Sequence, residues 1–504
     1  MKTIEELRRA LEDETTGLPM NISTERIRRR ARAVRRGRVV AVGAGALAVL
    51  LTAAGIIGLP HRASPPVLST QVGPTTIYYR DGTTVLARFD GSERSQLSWP
   101  VGLVVNHVLD ELSHSAGSPL RGHSWESIRN GAFAITTTID PAAQRVLEQS
   151  ADPTIDGSAM HGQPTTLQAA GAVVEPGTGR VLAYFGGRDG QGADYASTYV
   201  DEDGTSVGFG GHPPGSTFMA YTLAAALKAG YSLKSQWQWT PHDQVGRTGP
   251  YQIRNTSICP SSPSGGSCSL LDSVAVSLNV PLYGVTVSVG PARVVDMARQ
   301  AGIDTMWSDR GRVDLRTVDP NSVVPSQFDT VLGLGQYPVT VLDQANAMAT
   351  FAAGGLRATA HFVQRVTSGG RVVYSDTPPD PSQPRVLSAD ALADLTYALS
   401  KTGVVPGMAV KTGNWSATND STQNSHAWSI GYTSALAAAI WVGNGRDERP
   451  IHDRNNATIW GSGLPTQMLR RVVTDTQTRL GLRPAAFPPP AFVGDVNPPG
   501  STPS

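Results

Sequence analysis

The chain has 504 residues, which is enough for two or three domains and a large hydrophobic core. Its 42 lysine and arginine residues almost balance its 41 aspartate and glutamate residues, so the formal net charge is only +1 at pH 7. A chain with this balance has no general electrostatic attraction to nucleic acid, and we expect no nucleic-acid partner.

The first 59 residues have two contrasting parts. Residues 1–38 are charged and rich in arginine, which predicts a mostly disordered leader. Residues 39–59 carry no charged side chain and, as a helix, would be roughly 30 Å long, about the thickness of a bilayer's hydrocarbon core. A signal peptide and a buried core helix are the alternatives, but the long polar leader and its arginines favour a single-pass membrane anchor. By the positive-inside rule the leader is cytoplasmic and everything after His61 is extracellular.

Between this anchor and residue 131 the sequence predicts only small elements. Residues 60–130 begin with a linker that contains proline and serine, followed by a β-hairpin at 76–89 with an Asp-Gly turn. The apolar spacing of residues 101–112 predicts a helix. A region of ~70 residues is well below the size of an ordinary enzymatic domain. We therefore interpret it as a connecting region.

Residues 131–480 alternate between strand-like and helix-like patterns and are predicted to form the main domain. The predicted strands lie at 133–139, 171–187 (a hairpin with a Pro-Gly turn), 407–413, 427–431 and 436–442. The predicted helices lie at 141–149, 221–229, 271–277, 291–300, 340–351 and 389–399. Helices placed between an early hairpin and a late run of strands predict an α+β fold, with helices packed on one antiparallel sheet.

Two further segments have compositions typical of irregular structure. Residues 186–211 are rich in glycine and aspartate, which predicts an exposed loop before the helix at 221–229. Residues 481–504 are rich in proline, and beyond residue 487 we expect a disordered or loosely packed tail.

The chain has only two cysteines, Cys259 and Cys268, at the two ends of a short Pro/Ser/Gly loop. Both follow the predicted anchor and so lie on the oxidising side of the membrane, which favours a disulfide between them. Two free thiols are the alternative. A zinc site is disfavoured, because no pair of histidines or cysteines has ligand spacing. We expect no metal ion.

Three short motifs follow one another along the chain. Residues 216–219 read Ser-Thr-Phe-Met at a predicted helix start, residues 277–279 read Ser-Leu-Asn, and residues 411–413 read Lys-Thr-Gly. A serine before a helix is often a simple N-cap, and this is the alternative for Ser216. The residues around it, Pro213 to Leu227, favour a nucleophile instead.

Residues 133–473 resemble the transpeptidase domain of actinobacterial class A penicillin-binding proteins. Each triplet alone is weak, and the resemblance comes from their order, spacing and flanks, in the runs 135–141, 213–227, 276–281, 349–355 and 427–444. It implies the fold that this domain shares with serine β-lactamases, with no metal or organic cofactor. Class A members also carry a glycosyltransferase domain between anchor and transpeptidase. We expect that domain to be absent here, because residues 60–130 leave too little room.

The resemblance also implies roles for individual residues. Ser216 would attack the carbonyl of a D-Ala-D-Ala peptide, and Ser277 would relay a proton to the leaving amine. Asn279 would hold the substrate amide. Lys411 would place a positive charge beside Ser216 and the substrate carboxylate.

Three more substrate-binding positions follow Lys411. Thr412 would contribute a hydroxyl group, and Gly413 completes the motif. The backbone N–H of Asn414, with that of Ser216, would form the oxyanion hole. Asn414 departs from the threonine or serine usual after Lys-Thr-Gly, which weakens carboxylate recognition.

Met219 is the larger departure, because the family has a lysine there that accepts the proton of the serine. A thioether cannot accept that proton, although its length is similar to a lysine stem. Lys411 is the best candidate for a substitute base, and His212 is a weaker one that we expect to be solvated. A second Lys-Thr-Gly triplet at 401–403 lacks flanking strands, and we interpret it as a loop.

Three functions therefore remain open. The first is a membrane-anchored pseudoenzyme that binds peptidoglycan stem peptides, β-lactams or cell-wall assembly proteins. The second is an active D,D-transpeptidase or carboxypeptidase that uses Lys411 as its base. The third is a β-lactamase-like hydrolase, which needs a deacylating base that no further motif supplies.

Overall fold

Two five-stranded sheets organise the protein, and helices pack between and around them. The computed structural model describes residues 72–90, 97–240, 242–246, 249–417, 422–445 and 447–503. The predicted leader and membrane anchor lie outside these residues. Within the described part of the chain, no helix is long and apolar enough to cross a membrane.

The strands fall into two groups by the size of the sheet to which they belong. Ten of them form the two large sheets: β1 Thr76–Tyr78, β2 Val85–Arg88, β3 Phe133–Thr137, β4 Gln168–Val174, β5 Val181–Phe185, β14 Val363–Ser368, β15 Arg371–Ser375, β16 Ala409–Ser416, β17 Asn424–Tyr432 and β18 Ala437–Gly443. The others form two-stranded pairs: β6 Tyr199–Val200 with β7 Ser206–Val207, β8 Gln236–Gln238 with β11 Ser267–Ser269, β9 His242–Gly246 with β10 Gly249–Ile253, and β12 Thr305–Ser308 with β13 Gly311–Asp314.

The α-helices range from one turn to nearly five turns. In chain order they are α1 Val101–His114, α2 Trp125–Arg129, α3 Pro141–Ala151, α4 Met219–Lys228, α5 Leu270–Ala275, α6 Asn279–Val289, α7 Pro291–Ala301, α8 Pro320–Val323, α9 Val341–Ala352, α10 Ala389–Ser400 and α11 Leu464–Leu480. Two 3₁₀ turns lie at Gly215–Phe218 and Thr330–Leu334.

The central sheet has the order β16-β17-β18-β4-β5, and all its pairs are antiparallel. Helices α3 and α11 cover one face, where Leu147, Ile440 and Val472 share a buried cluster. Helices α9 and α10 pack against the other face. Because both faces are covered, every residue of β17 and β18 is buried, and these strands show no polar alternation. Strand β16 is at the edge of the sheet.

The second large sheet corrects our expectation of a single antiparallel sheet. Its order is β15-β14-β3-β1-β2, and β1 runs parallel to β3, with Ile77 opposite Ile135. The predicted hairpin at 76–89 is present as β1 and β2, but it adds to strands that come much later in the chain. Such long-range pairing leaves no local signal in the sequence. The α+β class is confirmed.

The segment 186–211 was expected to be an exposed loop, and this prediction is correct only in part. The segment has little regular structure apart from β6 and β7 and is exposed at residues 202–206, but the stretch around Asp194 is buried. The buried carboxylate of Asp194 accepts hydrogen bonds from the hydroxyl of Tyr184 and the backbone N–H groups of Ala196 and Ser197, and it lies 2.8 Å from His107 Nε2. Asp194 can therefore be buried and keep this stretch in the interior, because protein groups supply the hydrogen bonds that its carboxylate would otherwise make with water.

The expectation of a loose C-terminal tail is wrong. The buried carboxylate of Asp394 on α10 accepts hydrogen bonds from three successive backbone N–H groups, those of Ala491, Phe492 and Val493. Farther along, Asp495 exchanges backbone hydrogen bonds with residues that follow α4. The proline-rich composition gives no sign of this docking, because the tail is held by hydrogen bonds of its backbone and not by a pattern of apolar side chains.

Candidate active site

The first motif forms a tight turn that presses against the edge strand of the central sheet. Ser216 lies in the 3₁₀ turn Gly215–Phe218, and α4 begins directly after it at Met219. Gly215 has a φ of +52°, and a Cβ there would lie 2.1 Å from the carbonyl oxygen of Asn414. Only glycine fits between the turn and the strand. The serine is thereby fixed beside β16.

Buried side chains support this turn from below. Thr217 Oγ1 donates to the carbonyl oxygen of Pro214, and Gln344 Nε2 on α9 donates to Thr217 Oγ1 at 2.7 Å. Tyr221 in turn donates its hydroxyl hydrogen to Gln344 Oε1. Together these bonds connect the turn with α4 and α9, which limits its freedom to move. The three motifs gave no indication of Gln344.

Trp428 holds the other end of the turn. Its indole Nε1, on β17, donates to the carbonyl oxygen of Pro213 at 2.9 Å, and the side chain is fully buried. Trp428 belongs to the run 427–444 that supported the family resemblance. Its hydrogen bond to the turn was not predicted from the sequence.

Met219 occupies the place three residues after Ser216 and is 0 % exposed. Residues three apart are eclipsed in a 3₁₀ turn, so the side chains of Ser216 and Met219 lie on the same side. The thioether belongs to the hydrophobic core and offers the serine no proton acceptor. Among the described residues, Ser216 Oγ has no hydrogen-bond partner.

The second and third motifs meet directly. Lys411 Nζ on β16 donates to Ser277 Oγ at 2.5 Å and to the carbonyl oxygen of Thr412 at 3.1 Å. The lysine is only 1 % exposed, and burial lowers its pKa to about 7. Close to neutral pH a substantial fraction of this amine is therefore uncharged, which is unusual for lysine.

Ser277 adopts a backbone conformation that is uncommon for its residue type, with a φ of +58°. It follows α5, and its N–H donates to the carbonyl oxygen of Val274 while that of Leu278 donates to Ser273. These two bonds form a Schellman motif, in which the left-handed residue is usually glycine. The serine side chain is thereby directed to Lys411.

The remaining predicted binding residues lie around this pair. Asn279 is the first residue of α6, and its Nδ2 donates to the carbonyl oxygen of Arg254 at 2.8 Å. Gly413 packs against the serine turn, since a Cβ there would lie 2.3 Å from the carbonyl oxygen of Pro214. Thr412 is partly buried and pairs with Ser429 on β17.

Asn414 contacts a segment that the motifs did not include. Its side-chain oxygen accepts a hydrogen bond from the backbone N–H of Gly461 at 2.7 Å. Thr466 holds the same segment by donating to the carbonyl oxygen of Gly461. The amide of Asn414 therefore orders this edge of the site, and its oxygen is already engaged.

The structure disfavours the other candidate bases. The expectation that His212 is solvated is wrong: it is buried, stacks on Trp441 and has its pKa lowered to about 3 by burial and by nearby His426. Its Nε2 lies 2.9 Å from the carbonyl oxygen of Tyr195, so the ring serves to support the segment before the turn. Lys401, from the second triplet, is exposed beyond α10 with its amine over the ring of Tyr397.

The two cysteines are joined. Cys259 Sγ and Cys268 Sγ are bonded at 2.07 Å, which agrees with the predicted disulfide. The bridge closes the loop directly before α5, the helix that leads into Ser277. Asp272 lies near the two sulfur atoms, but bonded sulfurs are not thiolates, so this cluster is not a metal site.

Comparison with known proteins identifies the family. A family model described as the penicillin-binding protein transpeptidase domain matches residues 169–454. Penicillin-binding protein 1A of Mycobacterium tuberculosis is 30 % identical over 442 residues, which are 86 % of this chain and 48 % of that protein. Penicillin-binding protein 1A of Mycolicibacterium smegmatis is 29 % identical over 415 residues, 80 % of this chain and 48 % of that protein.

A solved structure agrees with these matches. The structure of PonA1 from Mycobacterium tuberculosis in complex with penicillin V is 28 % identical, with a TM-score of 0.63, and the match covers 80 % of this chain and 100 % of that one. This chain spans about half the length of the curated relatives that it matches. The chain thus belongs to the family of penicillin-binding proteins with a transpeptidase domain.

Proposed function

We propose that this protein is a membrane-anchored penicillin-binding protein that binds peptidoglycan stem peptides and β-lactams in cell-wall assembly, with impaired acyl transfer. The main support is Met219, which fills the position of the family's general-base lysine and is fully buried. The remaining polar groups of the site are still assembled, with Ser277 and Lys411 in contact. A site that keeps its binding groups and lacks its base favours recognition over turnover.

The size of the impairment follows from the missing proton acceptor. Loss of a general base commonly costs ~10²–10⁴ in rate, and more when the catalytic groups act as a unit. Binding depends on different groups: backbone N–H donors, Asn279 and the strand that carries Thr412. The PonA1 complex with penicillin V supports β-lactams as ligands for a site of this fold. We therefore expect affinity to survive better than acylation.

Residues 39–59 are proposed as the single-pass anchor, with the N-terminus cytoplasmic and the main domain extracellular. The disulfide between Cys259 and Cys268 supports an oxidising, extracellular location. An anchored domain outside the membrane would meet both stem peptides and cell-wall assembly proteins, which are the partners that we propose. Both cysteines are bonded to one another, so a topology test with an amine-reactive label that does not cross membranes would locate the domain in cells.

A second candidate function has a specific observation in its favour. The pKa of Lys411, lowered to about 7 by burial, makes this amine a competent base near neutral pH. An active D,D-transpeptidase or carboxypeptidase that uses Lys411 is therefore the alternative. No group in the described part of the site has been identified as a deacylating base, so the hydrolase hypothesis gains no support.

The full-length protein in detergent distinguishes these functions. Anisotropy of a fluorescent penicillin measures binding, and denaturing gels of the same samples measure the covalent product. We expect saturable binding with covalent labelling over hours and little release of D-alanine from a D-Ala-D-Ala peptide. Rapid release would support the alternative, and the absence of saturable binding would contradict the proposal.

A further inference from the structure

Two serines lie in the site, and among the described residues only Ser277 is hydrogen-bonded to an amine. Lys411 Nζ lies 2.5 Å from Ser277 Oγ. In the described part of the chain Ser216 Oγ has no hydrogen-bond partner, and the side chain one turn away is the thioether of Met219. Since a serine needs a base to become a nucleophile, these contacts favour Ser277.

The backbone at Ser277 supports the same assignment. The residue occupies the left-handed position of the Schellman motif that ends α5, where glycine is the usual residue. A side chain in this conformation is unfavourable for any residue with a Cβ. Here it aims a hydroxyl group at a buried amine, and strained backbone of this kind is frequent at reactive residues.

Ser277 and Lys411 differ in their exposure to solvent. Lys411 is buried behind the strand edge, whereas Ser277 is partly exposed. A ligand at the site can therefore reach the hydroxyl while the amine remains shielded from water. Burial also lowers the pKa of Lys411 to about 7, so that the neutral amine can accept the serine proton.

We propose that Ser277, with Lys411 as its base, is the serine that this protein acylates slowly with β-lactams, in place of Ser216. This inference rests on the proposed function, since it requires the ligand to bind at the same site. It assigns to the second motif the nucleophilic role that the first motif has in the family.

The reaction can be written with every atom accounted for. Neutral Lys411 takes the hydroxyl proton as Ser277 Oγ bonds to the carbonyl carbon of the β-lactam ring. The carbon–nitrogen bond of the ring then breaks, and the ring nitrogen receives the proton from the Lys411 ammonium. The product is an ester between Ser277 and the opened lactam, and no group leaves. No further reactant is required.

Peptide mapping tests the inference directly. The full-length protein is incubated with a fluorescent penicillin, reduced, alkylated and digested with trypsin, and the labelled peptide is sequenced by mass spectrometry. The two serines fall in different tryptic peptides, residues 189–228 for Ser216 and 255–293 for Ser277. We expect the label on Ser277, and a labelling rate that rises roughly tenfold per pH unit up to about pH 7 and then levels off.

Two variants provide the comparison. Ser277→Ala is expected to lose the covalent label while anisotropy still detects reversible binding. Ser273→Ala is the matched control, because this buried hydroxyl on α5 has no hydrogen-bond partner among the described residues, and it should label like the parent. Mapping the parent protein does not depend on the folding of either variant.

The outcomes separate the two proposals. Label on Ser216, or saturable binding with no covalent label at all, overturns the assignment of Ser277 and leaves the proposed binding function standing. Absence of both binding and label overturns both.

Discussion

Met219 is an apolar side chain at a position where the family resemblance implies a lysine. The position is fully buried within the main hydrophobic cluster, so an apolar residue there costs nothing in desolvation. A lysine would need a partner to tolerate the same burial. The hydroxyl of Ser216 could serve as a hydrogen-bond partner for a lysine amine at position 219, but the thioether of Met219 needs no such partner.

Restoring the lysine is the first prediction at this scale. Met219→Lys is expected to raise the rate of penicillin labelling by ~10²–10⁴ and to move the label to Ser216, because the serine regains a base one turn away. Stopped-flow fluorescence with a fluorescent penicillin gives the rate, and tryptic mapping gives the position.

Met219→Leu is the control for this substitution. It keeps the volume and apolar character of the side chain, should cost less than about 1.5 kcal/mol in stability and should leave labelling unchanged. If the lysine variant folds and labels no faster than the leucine variant, then defects other than the missing base limit acylation.

Lys411 predicts a specific pH dependence of stability. Its pKa is about 7 when folded and near 10.4 when unfolded, so between these values the unfolded chain holds a proton that the folded protein lacks. The free energy of unfolding should therefore rise with pH by up to about 1.4 kcal/mol per unit. Lys411→Met removes this contribution.

Urea unfolding of both proteins at pH 8.0, 8.75 and 9.5 measures the effect. Other groups with shifted pKa values are present in both proteins, so the difference between the two slopes isolates Lys411. If the free energy of unfolding changes with pH by the same amount in parent and variant, then the amine is hydrated and titrates like an ordinary lysine.

At the scale of elements, one carboxylate holds residues 491–493 of the C-terminal tail. Asp394→Ala would leave the three backbone N–H groups of residues 491–493 without their acceptor in a buried setting. Each such loss costs about 1–3 kcal/mol, partly recovered if the tail detaches, so we expect a loss of roughly 2–4 kcal/mol. Urea unfolding measures the stability, and limited proteolysis measures release of the tail.

Asp390→Ala provides a matched control on the same helix, because Asp390 is exposed in the first turn of α10. Its loss should change stability by less than about 1 kcal/mol through the helix dipole alone. Equal effects of the two substitutions would show that the tail contributes nothing through Asp394.

Local sequence signals predicted local structure well. Asp140 and Thr340 cap α3 and α9 through their side chains, close to where the patterns place these helices. The disulfide and the strands of the third motif also follow the predictions. The resemblance placed Lys411 beside Ser216, and the contact of Lys411 with Ser277 was not predicted, because residues 134 positions apart carry no local evidence of meeting.

The two segments whose burial was not predicted from the sequence were missed for the same physical reason. Asp194 and Asp394 look like surface residues by composition, but each is buried and fully hydrogen-bonded by backbone or side-chain donors. A charged residue is expected at the surface because burying its charge costs free energy, but composition does not show the hydrogen bonds that compensate for this cost. The 3₁₀ turn at Ser216 is similar, since it depends on close contact of Gly215 with strand β16.

At the scale of the whole molecule, the N-terminal hairpin is an integral part of the second large sheet. Ile77 of β1 and Ile135 of β3 are opposite one another and belong to the same buried cluster as Met219. Ion pairs continue the connection: Arg80 pairs with Glu175 after β4, and Arg180 before β5 pairs with Asp376 after β15. The two large sheets are therefore linked by both apolar and charged contacts.

This continuity leads to a final prediction. Ile77→Ala should lower the free energy of unfolding by about 2–5 kcal/mol, because it opens a cavity in a cluster that reaches the active site. Unfolding should remain a single transition by both tryptophan fluorescence and circular dichroism, since the hairpin and the helices share that core. Val85→Ala, at a position 48 % exposed on β2, should change stability by no more than about 0.5 kcal/mol. A separate early transition in the Ile77 variant would instead mean that the hairpin unfolds independently, and that the connection between the two sheets does not stabilise the site.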